Sequence, residues 1–366
     1  MVVTHRCNLR CSYCYEARKD SRSMSEDTAL RVMEREFALA ASSSDVDELL
    51  FDFLGGEPFL EFGLIRRLAE RTWSELRPVP YLFSATTNGT VLDDDAKAWL
   101  RAHSDRFKVV LSLDGVRSAQ ETNRPGSYGA IDMDFFREVY ADQPVKMTVS
   151  PETVGSFAEG VTELVGDGFC VAPSFAWGAP WTEHAIREYG RQLGILARWF
   201  LDHPGHELIP QFQKRLCAVL DEEGPPRLCG TGRRMATYDV DGRAYPCHMF
   251  LPWITGRSDG FESVWGDDGL SDARCAGCSI VRVCKHCYGF NFIENGDPSH
   301  RSDYACRLMR EEVKACVLYK GTLLGCKVRR GERLSGEELA EARAIVCISE
   351  NRPKGLADNQ ETNADE

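Results

Sequence analysis

The residues able to do chemistry gather first near the start of the chain, in Cys7-Asn8-Leu9-Arg10-Cys11-Ser12-Tyr13-Cys14. Three thiols at CxxxCxxC spacing follow the short apolar run Met1-Val2-Val3-Thr4. Three thiolates on one tight loop can each bind a different iron of a four-iron cluster, which leaves the fourth iron open to a small molecule. An electron carrier fills that position with a fourth cysteine, and here none follows until Cys170. The loop therefore reads as a reactive cluster site, with a zinc knuckle or unrelated cysteines as the alternative.

A second array comprises Cys229, Cys247, Cys275, Cys278, Cys284, Cys287 and Cys306. Cys229 and Cys247 flank Asp239-Val240-Asp241-Gly242, a hairpin signal. The next four are spaced CxxC, five residues, CxxC, a short separation for a zinc ribbon. Cys170, Cys316, Cys326 and Cys347 show no ligand spacing and read as small buried hydrophobes. Fifteen cysteines are too many for packing alone. A disulfide framework needs an oxidising compartment and is usual in much smaller chains. With no signal peptide after Met1, the expectation is metal or cluster ligation in the cytoplasm.

Elements that would position these residues are legible from periodicity. Short β-branched runs at Val2-Thr4, Leu49-Leu54, Tyr81-Thr86, Lys108-Leu113, Val145-Ser150 and Cys170-Ala176 alternate with helical patterns. The helices are expected near Glu26-Ala41, Leu60-Leu76, Asp93-Ala102, Asp132-Tyr140, Phe157-Gly166 and Glu183-Leu201. Six such βα units predict an α/β fold, a partial (β/α)6 TIM barrel where a complete one has eight units. Chemistry on such a sheet gathers at the carboxyl ends of the strands. The cysteine loop falls there, as do Gly55-Gly56-Glu57-Pro58, Thr87-Asn88-Gly89 and Asp114-Gly115. Trp177 and Trp181 end the sixth unit, either lining a substrate mouth or simply packing. The expected division is a barrel over 1–201, a linker with a bridging helix over 202–228, a cysteine domain over 229–325, a C-terminal helix over 326–349 and a polar, disordered tail over 350–366.

The first loop resembles that of the radical S-adenosylmethionine (SAM) enzymes, down to Tyr13 before the last cysteine; the likeness covers about the first 180 residues. It implies a [4Fe-4S] cluster on Cys7, Cys11 and Cys14 whose open iron chelates SAM. Electron transfer then cleaves SAM to methionine and a 5'-deoxyadenosyl radical, which abstracts a hydrogen atom. The same resemblance implies cofactor-binding roles for Tyr13, Gly55, Gly56, Glu57, Asn88, Ser112 and Asp114. The second array resembles the SPASM domain of peptide-modifying radical SAM enzymes, which usually holds two auxiliary four-iron clusters. By that likeness Cys229, Cys247 and Cys287 bind the first, and Cys275, Cys278, Cys284 and Cys306 the second. The last pair is CxxC where the family more often has one further residue. Cys217 completes the first set, or its iron stays open to a substrate thiolate. His248 stands where sulfatase-maturing relatives carry an aspartate as catalytic base, which argues against that activity and leaves His248 a base or a hydrogen-bonding neighbour.

The resulting expectation is a peptide maturase with SAM and three [4Fe-4S] clusters, acting on a ribosomally made precursor peptide. A cysteine thioether, as formed by ranthipeptide maturases, is the first choice of product. A carbon–carbon crosslink, or dehydrogenation of a peptide or small alcohol, is the alternative, and an iron–sulfur electron carrier or zinc scaffold is the rival outside enzymology. Expected partners are the peptide and an electron donor such as a flavodoxin or ferredoxin; since the chain starts almost at its first strand, either the barrel mouth and the face of the cysteine domain recognise the peptide or a separate leader-binding protein presents it. A net charge of −12 argues against a general nucleic-acid binder, and no apolar stretch approaches a membrane span.

Overall fold

The computed structural model describes residues 1–16, 18–221, 227–266 and 270–350. The expected tail from 351 onward and Gly224-Pro225-Pro226 of the linker lie outside the described residues. The strands β1 (Val2–Thr4), β2 (Leu49–Gly55), β3 (Tyr81–Thr87) and β4 (Phe107–Leu111) pair in that order, all parallel. β5 (Val145–Val149) and β6 (Val171–Phe175) form a second parallel pair. The Leu113 N–H donates to the Lys146 carbonyl at 3.1 Å, which ties the end of β4 to β5. Among the described residues no pairing joins β6 back to β1.

Alternation along the strands decides which face is core. Phe51 and Phe53, Phe83 and Ala85, Phe107, Val109 and Leu111 are buried on one face. There Phe53 stacks on Phe83 at 5.5 Å and on Phe107 at 6.0 Å, an aromatic ladder across three strands. The opposite face is polar: Asp52 accepts the Ser84 hydroxyl at 2.6 Å, and Lys146 and Thr148 project from β5 on the same side. Helices α1 (Glu26–Ala41), α2 (Phe62–Trp73), α3 (Asp94–Ala102), α4 (Arg117–Asn123), α5 (Met133–Val139), α6 (Phe157–Gly166) and α7 (Glu183–Asp202) follow the strands in turn, with α4 and α5 both between β4 and β5. Their starts are set by local chemistry. Ser25, Asp93 and Thr182 each accept a backbone N–H from the first turn of α1, α3 and α7, and Asp94 and Asp95 sit at the positive end of the α3 dipole.

In the second half, β7 (Thr237–Tyr238) and β8 (Ala244–Tyr245) form the expected hairpin, with Gly242 at φ +82°. Then follow α8 (Pro252–Thr255), α9 (Tyr288–Asn295), α10 (Asp303–Arg329) and α11 (Gly336–Glu350). Two expectations differ. The linker carries a short 3-10 helix, Leu216–Leu220, and α10 runs unbroken for 27 residues across the 325/326 boundary. α10 packs along α7, where Tyr189 donates to the buried Glu312 carboxylate at 3.0 Å and Lys214 pairs with it at 2.8 Å. Of the four cysteines read as core, Cys316 is buried, but Cys170, Cys326 and Cys347 are only half-buried. The Cys170 thiol instead reaches a Glu207 oxygen at 2.8 Å.

Candidate active site

β1 ends at Thr4, and the chain turns at once into the cysteine loop. That loop lies against β2 because two glycines there carry no side chain. A Cβ on Gly55 would stand 2.3 Å from the Thr4 carbonyl oxygen, and one on Gly56 2.4 Å from that of Arg6. Backbone bonds from Gly56 N–H to Thr4 at 3.1 Å and from Glu57 N–H to Arg6 at 2.8 Å close the contact. Cys7, Cys11 and Cys14 are half-buried and near enough to feel one another's charge. Burial pushes the Cys7 thiol up against the opposing pull of the Leu9 N–H and Lys19, and the Cys11 thiol up against that of Arg124. Lys19 Nζ stands 3.3 Å from Cys14 Sγ. Three thiols flanked by two cations suit a negatively charged cluster held by one thiolate per iron.

Two buried carboxylates hold the loop and the strand ends together. Glu57 accepts the Phe59 N–H at 3.2 Å and the Thr87 hydroxyl at 2.8 Å on one oxygen, and the Asn88 N–H at 2.8 Å on the other. Burial raises its pKa against the pull of those donors. Asn88 in turn donates to Asn8 at 2.9 Å, and Asn8 to the Thr90 hydroxyl at 2.7 Å, so the third strand end grips the loop directly. Asp114 accepts the Tyr13 hydroxyl at 2.6 Å, Arg124 Nε at 3.1 Å, Asn123 Nδ2 at 3.2 Å and the Thr148 N–H at 2.9 Å. Ser112 lies buried just past β4, bridged to Lys146.

The second array resolves into two groups. Cys229, Cys247 and Cys287 lie together, with Thr231 Oγ1 2.9 Å from Cys229 Sγ. Cys275, Cys278, Cys284 and Cys306 are near enough to feel one another's charge, and Arg301, close to Cys275 and Cys284, donates from its guanidinium to Cys284 Sγ at 3.2 Å. Burial pushes Cys247 up to about 12 and Cys284 and Cys287 up to about 11. Cys217 sits on the 3-10 helix Leu216–Leu220, packed against α11 and engaged by Arg215. Among the described residues, no three His, Cys, Asp or Glu side chains are arranged to hold a single metal ion.

Residues 1–131 match the model of the radical SAM superfamily. The chain carries a radical SAM domain. The GTP 3',8-cyclase of Streptomyces coelicolor is 37% identical over 122 residues, 31% of this chain and 32% of that enzyme. The subtilosin biosynthesis protein AlbA of Bacillus subtilis is 22% identical over 264 residues, 68% of this chain and 54% of that protein. The match spans 30–38% of the length of the first curated relatives. Among solved structures, anSMEcpe with bound AdoMet shares the fold at a TM-score of 0.65 and 18% identity, covering 93% of this chain and 96% of that one. The same protein has been solved with AdoMet and a peptide, at a TM-score of 0.63 and 18% identity over 90% of this chain and 98% of that one.

Seen from the radical SAM domain, the sequence reading missed three contributors. Arg124 is buried against Asp114 and over the Tyr13 ring at 5.4 Å; in the sequence it is one of two arginines in the ten residues after Asp114, with nothing to single it out from Arg117. Asn8 lies inside the cysteine motif, at a position read only as spacer. Tyr15, one residue past Cys14, packs its ring 5.3 Å from that of His248 and feels the charge of both Cys14 and Cys247. His248 is thereby beside the first loop, and burial, with Lys146 adding to it, lowers its pKa to about 4. Trp177 stacks on Phe290 at 5.9 Å, and Trp181 is buried with its indole N–H on the Ala176 carbonyl at 2.8 Å. No described helix is long and apolar enough to cross a membrane.

Proposed function

We propose that the chain is a radical SAM peptide maturase whose Cys229–Cys306 region is a SPASM domain holding two auxiliary four-iron clusters. Its substrate is a ribosomally made precursor peptide, and its first product a cysteine thioether. The observation that carries this reading is Tyr15, which is within electrostatic reach of both Cys14 of the first group and Cys247 of the second and packs its ring on that of His248. A site that removes a hydrogen at one cysteine group and collects an electron at the other needs the two groups to share one space. The extent of the AlbA match and the peptide bound by anSMEcpe favour a peptide over a nucleotide, although the identity to GTP 3',8-cyclase over the first third is higher.

With SAM on the open iron of the first cluster, the site supplies a 5'-deoxyadenosyl radical. The chain's own part is positional. Asp114, through Tyr13, and Asn88, through Asn8, fix the cysteine loop, and Glu57 fixes the Asn88 backbone. Net, the peptide loses two hydrogens: one atom to the radical, and one proton from the thiol as sulfur closes onto carbon. The electron that cleaves SAM would come from an external donor such as a flavodoxin or ferredoxin, and the auxiliary clusters that the second cysteine array would hold would take up the electron left over and return it to that donor. His248 packs against the Tyr15 ring, and with its pKa lowered by burial to about 4 it is neutral and only weakly basic at pH 7.

The test is co-expression with small peptides encoded beside the gene, followed by mass spectrometry after alkylation of free thiols. Loss of two hydrogens with one fewer alkylatable cysteine is the expected result. Loss of two hydrogens with every thiol still reactive redirects the product to a carbon–carbon crosslink or a dehydrogenation. A colourless, zinc-containing preparation without SAM cleavage overturns the assignment.

A further inference from the structure

A buried nitrogen without a partner is uncommon in a folded protein, because it has given up water and received nothing in return. Three such nitrogens cluster in one place here. Neither ring nitrogen of His286, nor Nε of Arg301, makes a hydrogen bond of good geometry, the imidazole having only the Cys284 backbone within reach. All three belong to side chains that line a single small crevice, together with Cys284, Cys306, Asn291 and Met309. Other groups of Arg301 are satisfied. Its backbone N–H donates to Asp272 at 2.8 Å, and its Nη1 to Cys284 Sγ at 3.2 Å. The His286 ring is also held in place, edge-on to Tyr288 at 4.5 Å and 78°. The unpartnered atoms are therefore positioned, and they line a crevice walled by thiols.

We propose that His286 and Arg301 form a donor pair for the sulfurs of the cluster on Cys275, Cys278, Cys284 and Cys306, and that this pair raises the cluster's reduction potential. The inference rests on the auxiliary-cluster reading above and adds to it two residues that the cysteine pattern does not name. A four-iron cluster with four thiolates is an anion that becomes more negative on reduction. N–H groups and a guanidinium aimed at its sulfurs stabilise the reduced form more than the oxidised one. The chemistry of the partners fits. Arginine supplies a permanent charge, and the imidazole supplies one N–H whichever tautomer it adopts. His286 acts through the cluster and touches no substrate, so it is a positioning residue. Its position in Cys284-Lys285-His286-Cys287 sets it within two residues of a ligand of each auxiliary group.

The test uses the full chain with C7A, C11A and C14A substitutions, so that only auxiliary clusters remain, reconstituted anaerobically and followed by redox titration with electron paramagnetic resonance. Loss of a signal on adding C275A assigns the second cluster. H286F keeps the ring's shape but has no N–H, while H286Q restores a donor. The expected result is unchanged iron content, a lower midpoint potential for the assigned cluster in H286F, partial return in H286Q, and a further fall when R301Q is added to H286F. An unchanged potential in H286F overturns the proposal. So does loss of that cluster's iron in H286F, or strong coupling to 15N in histidine-labelled protein, either of which makes the imidazole a ligand. Failure of the C7A/C11A/C14A protein to bind iron overturns the auxiliary-cluster reading itself, a distinct outcome from a cluster that binds and does not shift.

Discussion

Asp114 is the residue on which the cysteine loop hangs. Its side chain has no solvent exposure, and its two oxygens serve four donors from three segments of chain. Removing one partner of a buried ion pair leaves the other charge uncompensated, at about 3–5 kcal/mol. D114A should therefore lower the unfolding free energy by that order in anaerobic urea titrations. Y13F, which removes only one bond to a charged acceptor, should cost about 1.5–3 kcal/mol. Equal, small losses in the two variants would mean that Arg124 finds another counter-charge. The sequence marks Asp114 and Tyr13 as important but does not pair them, because they are 101 residues apart and meet only through the fold. Arg124 is illegible for a related reason. It follows Arg117–Asn123, a seven-residue helix with no apolar stripe to announce it. His286 hides between two cysteines that claim the reader's attention.

At the scale of elements, the first six strands are legible to within a residue or two, since each is an apolar run with a turn residue close behind its end. α10 is not. Its buried stripe of Leu308, Met309, Val313, Cys316 and Tyr319 is interrupted by Glu312, a carboxylate buried only because Tyr189 and Lys214 meet it from elsewhere. Gly55 and Gly56 show the converse. The sequence marks them as places of close approach, and the structure identifies the approaching group as the backbone of the cysteine loop. That contact makes a prediction. G56A drives a methyl group toward the Arg6 carbonyl and the Cys7 Cβ, so the loop must move outward, at about 1–3 kcal/mol for the overpacking. On the proposed assignment, iron content after reconstitution should fall at the cluster on Cys7, Cys11 and Cys14 while the proposed auxiliary clusters load normally. Full loading of all three in G56A would show that the loop has slack the close contact does not suggest.

The whole molecule holds its two halves together at more than one place: the α7–α10 seam around Glu312, and a contact between the end of β1 and the hairpin of the second half. There His5, fully buried, reaches the Asp239 carboxylate at 2.7 Å, with Trp253 packed 5.7 Å from its ring. This contact lies two residues from Cys7 and eight from Cys247, so it sets the spacing of the two cysteine groups as well as the stability of the joint. Burial pushes the Asp239 pKa up, but the bonds from His5 and from the Val240 N–H outweigh it and hold the carboxyl below its ordinary value. The sign follows from linkage. In the unfolded chain an aspartate takes its proton near pH 4, whereas in the native chain it does so lower still, so the stabilisation is complete above about pH 4 and is lost as pH falls through the native value. Wild type should therefore exceed D239N in urea midpoint at pH 5, and the gap should close below about pH 4. Comparing the two cancels the acid sensitivity they share, including that of any cluster. A gap that persists undiminished at pH 3 would assign the stabilisation to the shape of the side chain and not to its charge. In that case the protonated Asp239 carboxyl would hold the His5 contact in acid as well as the carboxylate does at neutrality.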